Sequence, residues 1–383
     1  SSNGLEKRPK LRFPGFDEPW KKCEFKEFAK VNPKCQSIPE QFYYIDLGSV
    51  EDGELSNAKI ENALSAPSRA QRLLSCNDVL FQTVRPYQQN NYLFCKERSL
   101  PTVASTGYAV FRTKYDVPFL YALIHTGHFL NSVLSRCTGT SFPAVSASDI
   151  EDILVSIPSL GEQQKIGELF RLLNSKIRKQ KALIESLKKY KRGVTEAIFT
   201  KDLRFTTKGV PYPQWDKKYV GDICKIQTGK SNTQDETSQG SYPFYVRSPI
   251  VRKSNRYLFD CEAVLTVGDG VGTGKVFHYV TGKFDLHQRV YAMTDFKIVS
   301  GKYFYYYFSH FFYDRVMRMT AKTSVDSVRY EMIDKMAIQI PCHEEQQQIV
   351  CFLDCLEHSV IEAEKTLNLL EKLKSGCLQQ LFI

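Results

Sequence analysis

Two long stretches of the chain carry apolar residues at alternating spacings of four and three, which is the heptad pattern of a coiled-coil helix. Each stretch covers about 38 residues, which corresponds to a helix of roughly 57 Å at ~1.5 Å per residue. Such a narrow seam needs one partner helix of similar length, and each stretch is the obvious partner of the other. The seam positions are Ile166, Phe170, Leu173, Ile177, Ile184 and Leu187 in the first stretch, and Ile349, Leu353, Leu356, Val360, Leu367 and Leu370 in the second.

The two helices belong to a longer internal duplication. When Ile157-Pro158 is set against Ile340-Pro341, the two copies align without a gap over about sixty residues, which is too long for a chance register. Both copies place a lysine late in the seam, at Lys191 and Lys374. Further matches are Glu162-Gln163-Gln164 with Glu345-Gln346-Gln347, Thr140-Ser141 with Thr323-Ser324, and Gly193 with Gly376.

Each duplicated helix follows a region that differs between the two halves. Trp20 and Trp215 each come after a proline-containing loop, and short apolar runs behind them predict strands. The predicted strands are 42–47, 78–84, 109–112, 263–267, 276–280 and 289–293, and the predicted shorter helices are 117–136 and 301–319.

This alternation predicts the fold class and the domain organisation. Residues 1–156 and 204–339 are interpreted as two α/β domains, and residues 157–203 and 340–383 as the helical segments that follow them. The fold class is therefore α+β, with a pseudo-twofold internal repeat and an antiparallel coiled coil of the two long helices. The alternative is that both helices are core helices of one large domain.

Composition favours a folded protein of the cytosol. Hydrophobic residues make up 42% and charged residues 25% of the 383 residues, which is the globular range. We expect no membrane span and no signal peptide, since apolar runs are short and the first twelve residues are polar and basic. The net charge of +10 is compatible with a polyanionic partner but does not require one.

The 11 cysteines are irregularly spaced and form no C-x-x-C pair. This pattern favours reduced thiols over a disulfide framework. The best candidate for a metal cluster is Cys342-His343 with Cys351, Cys355 and His358. Partly buried helix cysteines explain this group better than a zinc site does, so we expect no metal.

Catalytic motifs are missing from the sequence. The segment 268–275 resembles a phosphate-binding loop, but Asp269 stands where the motif needs glycine and Val276 where it needs serine or threonine. Thr228-Gly229-Lys230-Ser231 fails because Cys224 replaces the first glycine. No nucleophile elbow, zinc-protease motif or paired-acid nuclease cluster occurs. We therefore expect no catalysis and no cofactor bound by this chain.

Polar and basic residues beside the predicted strands are candidates for contacts to nucleic acid. Arginine reads guanine, glutamine and asparagine read adenine, and aromatic side chains pack on the thymine methyl group. The glycines of 268–275 either approach phosphates or simply form a flexible hairpin end. The candidates are Arg69, Arg72, Arg85, Tyr87, Gln88, Gln89 and Asn90 in the first domain, and Lys230, Arg247, Arg252, Lys253, Arg256, Gly270, Lys275, His287, Gln288 and Arg289 in the second.

The order and duplication of these motifs resemble the specificity (S) subunits of type I restriction-modification systems. The strongest match is the repeated run from Thr140-Ser141 through Ile157-Pro158 to Glu162-Gln163-Gln164, together with its second copy. Weaker matches are Asp78-Val79-Leu80, Glu262-Ala263-Val264-Leu265 and the opening Lys10-Leu11-Arg12-Phe13-Pro14. The resemblance covers essentially the whole chain.

The resemblance implies a subunit that reads a DNA sequence and does no chemistry. Each variable domain would then be a target-recognition domain for one half of an asymmetric bipartite target in double-stranded DNA. The paired helices would set the spacing between the half-sites and dock two methyltransferase (M) subunits, and two restriction and translocase (R) subunits would complete the complex. S-adenosylmethionine, ATP and magnesium would belong to those partner subunits.

Two other function classes remain open from the sequence. A stand-alone DNA methyltransferase or nuclease would need catalytic motifs that this sequence lacks. A coiled-coil scaffold without DNA would show no salt-sensitive DNA binding.

Overall fold

The computed structural model describes residues 8–34, 37–95, 98–270, 272–319 and 327–383. The chain divides into two compact units, one formed by Ser1–Ala182 with Lys365–Ile383 and the other by Leu183–Glu364. Each unit contains one variable domain and one half of each long helix. Thr323 and Ser324 of the duplication lie outside the described residues.

The first unit is built on two four-stranded sheets. Its short helices are α1 (Phe25–Phe28), α2 (Val117–Leu123), α3 (Gly127–Leu134) and α4 (Ala147–Glu151). Its strands are β1 (Lys21–Glu24), β2 (Lys30–Val31), β3 (Gln41–Ile45), β4 (Val50–Glu51), β5 (Glu54–Leu55), β6 (Lys59–Asn62), β7 (Ala70–Leu73), β8 (Asp78–Gln82), β9 (Tyr92–Phe94), β10 (Thr102–Ser105), β11 (Tyr108–Arg112) and β12 (Leu154–Ile157). The sheet orders are β6-β3-β10-β7, in which β3 and β10 are parallel, and β2-β11-β8-β9, which is antiparallel throughout.

The first long helix, α5 (Leu160–Phe199), follows β12, and its residues are divided between the two units after Ala182. The second unit then contains the strands β13 (Thr206–Thr207), β14 (Val210–Pro211), β15 (Asp216–Tyr219), β16 (Lys225–Thr228), β17 (Tyr242–Tyr245), β18 (Arg252–Ser254), β19 (Phe259–Asp260), β20 (Ala263–Val267), β21 (Phe277–Val280), β22 (Lys283–Leu286), β23 (Val290–Thr294) and β24 (Ala337–Ile340). Its helices are α6 (Val220–Ile223), α7 (Gly301–Met319), α8 (Tyr330–Asp334) and the second long helix, α9 (His343–Gln380).

The second unit repeats the strand arrangement of the first. Its sheets have the orders β18-β17-β22-β19, with β17 and β22 parallel, and β16-β23-β20-β21, which is antiparallel. The small sheets β1-β12 and β15-β24 also correspond, because each joins the start of a domain to the strand that precedes a long helix. The predicted repeat and the α+β fold class are therefore confirmed, although the domain sequences differ.

Most predicted short elements are present, with one clear difference. Strand β20 and helix α7 have the predicted bounds, whereas the predicted helix 117–136 is two helices. The chain breaks at Thr126, whose hydroxyl donates to the carbonyl of Leu123 and accepts from the N–H of Phe129. A threonine that caps a new helix start ends the preceding helix, and the apolar pattern did not reveal this.

The long helices run antiparallel in each unit. In the first unit Phe170 of α5 packs on Phe382, with ring centroids 5.9 Å apart, and Lys181 of α5 pairs with Glu371 of α9. In the second unit Lys188 pairs with Glu364 and Lys191 with Glu357. Residues with increasing numbers along α5 contact residues with decreasing numbers toward the start of α9. This order confirms the predicted antiparallel coiled coil. Seam residues such as Ile166, Ile184, Ile349 and Leu353 are buried, and others such as Ile177 and Leu367 are half-buried.

A buried glutamate at the start of each long helix binds an arginine. Glu162 accepts two hydrogen bonds from Arg12, both of 2.8 Å, and its side chain is 1% exposed. Glu345 accepts the equivalent pair from Arg204, at 2.8 and 3.0 Å, and a third bond from the indole N–H of Trp215. Two parallel N–H···O bonds to one carboxylate fix both groups rigidly. We call these two ion pairs the helix clamps.

The glutamine that follows each clamp glutamate is also buried and serves the same junction. The amide of Gln163 donates to the carbonyl of Pro158, and that of Gln346 donates to the carbonyl of Pro341. Gln346 also accepts from the N–H of Ser300, just before α7. The duplicated Glu-Gln-Gln motif is therefore a structural joint between strand, helix and domain.

The cysteines of α9 differ from the sequence interpretation. Cys351 and Cys355 are exposed rather than partly buried, because the seam residues Leu353 and Leu356 occupy the inward face of the helix. Among the described residues, no group of three or more His, Cys, Asp or Glu side chains is arranged to hold a metal ion. None of the helices in the described part of the chain is long and apolar enough to cross a membrane.

The helix clamp of the second unit makes a testable prediction. Changing Glu345 to Ala leaves the Arg204 guanidinium and the Trp215 N–H without their shared acceptor. Breaking a buried ion pair from one side costs roughly 3–5 kcal/mol, so we expect the free energy of unfolding to fall by that amount in urea titration. The control is Gln347→Ala at an exposed position of the same turn, where we expect about 0.5 kcal/mol or less. Equal effects of the two variants would contradict the clamp.

Candidate nucleic-acid interface

The same loop position carries candidate residues in both domains. Strand β8 is followed by a short bridge between Val84 and Ala144, and strand β20 by the matching bridge between Asp269 and Ser327. Equivalent backbone hydrogen bonds lie beside the two bridges. The N–H of Val145 donates to the carbonyl of Thr83, and the N–H of Val328 donates to the carbonyl of Gly268. The backbone therefore leaves an inner strand of the sheet along the same path in each unit. We call residues 84–91 the first reading loop and residues 268–270 with 272–275 the second, a name that marks them as candidates for contacts to nucleic acid.

The turn in each reading loop requires a left-handed backbone conformation. It falls on Gly270 in the second loop, at φ +84°, and on Arg85 in the first, at φ 56°. Glycine adopts this conformation freely, whereas an arginine held there costs on the order of 1 kcal/mol or more. Such strain in a native structure is typical of functional positions.

The arginine at this strained position stacks on an aromatic ring. The guanidinium of Arg85 lies 4.4 Å from the ring centroid of Phe142, and the Phe142 side chain is 63% exposed. A backbone bond from Arg85 N–H to the Pro143 carbonyl, 2.7 Å, holds the two segments together. A charged plane and an exposed ring thus form one surface.

The rest of the first reading loop is supported by the buried Gln82. Its amide donates to the carbonyl of Val84 and to the side-chain oxygen of Gln88, and its oxygen accepts from the N–H of Asn90. The Tyr87 ring, 52% exposed, projects from this supported turn. Gln89 has a left-handed backbone at φ 53°. The side-chain oxygen of Gln88 therefore binds its own loop, whereas that of Asn90 accepts from the N–H of Asp52. Tyr87 is exposed and Arg85 is half-buried.

Arg69 and Arg72 lie beside the first reading loop rather than in it. The carbonyl of Arg69 accepts from the N–H of Thr106. The carbonyl of the next residue, Gly107, accepts from the N–H and the hydroxyl of Thr83 at the base of the loop. Arg72 lies in β7, paired with Ala104, and is half-buried.

Asp269 of the second reading loop holds two arginines that lie outside this loop in the chain. The carboxylate of Asp269 lies 3.4 Å from Arg247 and 3.7 Å from Arg289, and both arginines are exposed. The imidazole of His287 is only 4% exposed, and its Nδ1 accepts from the N–H of Arg289. Burial lowers the pKa of His287, so the ring is a neutral support of the turn. Arg247 and Arg289 are therefore the outward-facing groups.

A second cationic cluster adjoins the turn at 286–289. Arg256 binds Asp235 and the Ser231 hydroxyl, and the same hydroxyl donates to the buried Asp285. Arg252 makes two bonds to Glu236, at 2.7 and 2.6 Å. Each of these arginines is held against a carboxylate, so its orientation is fixed while part of its surface stays open to solvent.

The remaining candidates of the second domain lie around these two clusters. Lys230 is exposed, and the glycine before it is required there because an added Cβ at Gly229 would lie 2.0 Å from the Leu286 carbonyl oxygen. The Gln288 amide donates to Asn232, and Lys253 is exposed on β18. Lys275, by contrast, lies over the ring of Tyr313 of α7, 5.0 Å from its centroid.

Two residues of these surfaces were missed in the sequence. Phe142 directly follows the duplicated Thr140-Ser141, and an exposed aromatic beside a duplicated motif was the available signal. Asp269 was considered as a defect in a phosphate-loop motif and not as a partner for arginine, although an acid within a basic set is a natural arginine partner.

Both halves of the chain match the same known domain family. The profile described as type I restriction modification DNA specificity domain matches residues 18–189 and again residues 212–374. The two matches cover most of the chain. The chain belongs to this family. Each match includes one variable domain and most of the long helix behind it, as the repeat requires.

Specificity subunits of type I restriction enzymes are among the relatives of this family member. The EcoDI specificity subunit of Escherichia coli is 27% identical over 159 residues, 42% of this chain and 34% of that subunit. The MjaIX specificity subunit of Methanocaldococcus jannaschii is 20% identical over 293 residues, 69% of this chain and 67% of that subunit. The chain spans about a third of the length of the EcoDI subunit.

The fold is shared with a solved member of the type I systems. The crystal structure of the S subunit from M. genitalium has a TM-score of 0.69 at 12% sequence identity, covering 98% of this chain and 99% of that chain. At this identity the similarity shows a shared fold.

A half-buried histidine links the first reading loop of this specificity-domain protein to helix α2. His125 Nδ1 donates to the Tyr121 carbonyl at 2.6 Å, and its Nε2 lies 3.3 Å from the amide nitrogen of Asn91. The Asn91 oxygen accepts from the Gln82 N–H, which turns the amide nitrogen toward the histidine. Nε2 is therefore an acceptor, and burial lowers the pKa of His125 to about 4.

This arrangement predicts a loss of stability in mild acid. Because the folded-state pKa lies below the ordinary value of about 6.5, the unfolded chain takes up the proton first as the pH falls. The stabilisation is complete above about pH 6.5 and is lost progressively toward about pH 4. Urea unfolding across this range checks it. His125→Gln should flatten the profile there, while His128→Gln on α3 should not, and identical profiles for all three proteins would contradict the proposed role.

Proposed function

We propose that this chain is the DNA-sequence specificity subunit of a type I restriction-modification enzyme. Each variable domain reads one half of a bipartite double-stranded target, mainly with its reading loop. The chain itself does no chemistry. Two M subunits dock on it and two R subunits join through the complex, and these partners supply S-adenosylmethionine, ATP and magnesium.

One observation carries the proposal beyond family membership. The reading loops leave the same strand of the same sheet at matching backbone positions, yet they carry different side chains. A repeated scaffold with unlike side chains suits a pair of readers that approach DNA in the same way and select different bases. The target is therefore asymmetric, with one half-site for each domain.

The chemistry of each loop indicates what it can read. In the second domain, Arg247 and Arg289 share one carboxylate and can exchange it for the acceptor edge of a guanine or for a phosphate. Asp269 is then free to accept from a cytosine amino group. In the first domain, the Phe142 ring and Tyr87 offer apolar contact to a thymine methyl, and Arg85 offers a positioned cation.

The first prediction for this function concerns Arg85 and Arg289. Changing Arg289 to Ala should relax one base position of one half-site and cost ~1–3 kcal/mol, or lower the salt slope of binding by about one if the contact is to phosphate. Arg85→Ala should do the same for the other half-site. The measurements are affinity across a salt series and sequencing of the fragments bound from a random DNA pool.

The matched control for this experiment is Arg171→Ala. Arg171 is an exposed arginine of α5, paired with Glu168 and far along the chain from either reading loop. Its loss should leave affinity, salt slope and selected sequences unchanged. If Arg85→Ala and Arg289→Ala altered the same half-site, or if both behaved like the control, the assignment of one half-site to each loop would be wrong.

A further prediction concerns the paired helices as the spacer between half-sites. Inserting four residues between Gln180 and Ile184, with four more between Ala363 and Leu367, adds roughly 6 Å to each helix. Four residues turn a helix by about 400°, so the apolar seams stay nearly in phase. At ~3.4 Å per base pair we expect the spacer to lengthen by about one or two base pairs with both half-sites unchanged.

Mapping of methylated sites in cells that carry the complete system measures this spacing. The control replaces the four residues before each insertion point with the inserted sequence, without changing the length. An active insertion variant with the original spacer would show that the helices do not set the distance.

A further inference from the structure

The two long helices carry opposite charges at positions that correspond in the duplication. Lys181 of α5 corresponds to Glu364 of α9, and Lys188 of α5 corresponds to Glu371 of α9. Both long helices are otherwise closely related, since Ile166 matches Ile349 and Leu187 matches Leu370 along the seam. The lysines of one copy are thus the glutamates of the other.

These four residues meet across the helix pair. In the first unit the Lys181 ammonium lies 3.8 Å from the Glu371 carboxylate, and in the second unit Lys188 lies 2.8 Å from Glu364. All four side chains are partly exposed, with 42–49% of their surface open to solvent. The same pair of helix positions therefore meets in each unit, with the charges exchanged.

Hydrophobic burial alone does not distinguish the possible helix pairs. Apolar residues occupy the same seam positions in α5 and in α9, so either helix could bury its seam against a copy of itself. Flanking charges are what select partners in coiled coils. From the contacts above, we infer that Lys181, Lys188, Glu364 and Glu371 make each long helix select the other one as its partner and reject a second copy of itself.

The reason is the geometry of an antiparallel pair. In a pair of two α5 helices, Lys181 would face Lys188 twice, and in a pair of two α9 helices, Glu364 would face Glu371 twice. Only the mixed pair places opposite charges at both contacts. Like charges that face one another across a helix pair disfavour that pairing, and opposite charges favour it.

The neighbouring charges do not reverse this preference. Lys191 also pairs with Glu357 in the second unit, and the residue that corresponds to Glu357 in α5 is the uncharged Asn174. A pair of two α9 helices would keep an attraction between Lys374 and Glu357, which offsets its repulsion only in part. Lys181 additionally binds Asp52 of the β4–β5 hairpin at 2.9 Å, so the second unit offers the cleaner test.

The inference is tested in the full chain by reversing charges in place. Changing Glu364 and Glu371 to Lys gives α9 the charges of α5 and forces the like-charged arrangement of a self-pair. A cycle of Lys188→Glu, Glu364→Lys and the combined exchange isolates one contact. Urea unfolding at low and high salt measures the equilibrium constant, and all these positions are exposed enough to preserve the fold.

Each single reversal should raise the unfolding equilibrium constant roughly 2- to 5-fold at low salt, and the double Glu→Lys variant more than either single change. The combined Lys188→Glu and Glu364→Lys exchange should restore wild-type stability, and high salt should shrink every effect. The control is Lys189→Glu, which alters an exposed neighbouring lysine. The inference is overturned if the exchange fails to restore stability, or if the reversals match the control.

Discussion

The architecture depends on two buried carboxylates, Glu162 and Glu345, each of which accepts a pair of hydrogen bonds from an arginine. A carboxylate with almost no exposure to water is stable only when its partners are complete. Arg12 and Arg204 lie outside the long helices in the chain, so each ion pair fixes a loop segment to a helix start. The adjacent Gln163 and Gln346 extend the joint to the preceding proline carbonyl. The domain and the helix behind it are thereby held in one defined relation.

Much of the fold was accessible from the sequence because both of its signals are periodic. Heptad spacing identified the long helices, and a gapless duplication identified their pairing and direction. Strands such as β20 were also recognisable, since their buried runs are continuous. What the sequence could not show is that the two domains share one strand order. The strand order depends on backbone pairing between strands that are distant in the sequence. Strands with different side chains, such as β8 and β20, can occupy equivalent positions in their sheets.

The candidate site was only partly accessible. Arginines beside strands were easy to find, but their surroundings were not. His287 was selected for its chemistry, and it is buried beneath the turn. Phe142 was overlooked because it is far along the chain from Arg85, and only the backbone contact through Pro143 brings them together. Residue type indicates what a side chain can do, whereas exposure and long-range contacts decide whether it is placed to do it.

The left-handed turn in the reading loops also limits which mutations each domain can accept. At Gly270 any side chain with a Cβ meets a backbone conformation that it rarely adopts, so substitution there carries an energetic penalty. At Arg85 the penalty is already present in the native protein. Replacing Arg85 with glycine would relax the backbone and remove the guanidinium in one step. Under the proposed function, changes at loop positions with an ordinary backbone conformation carry no such penalty.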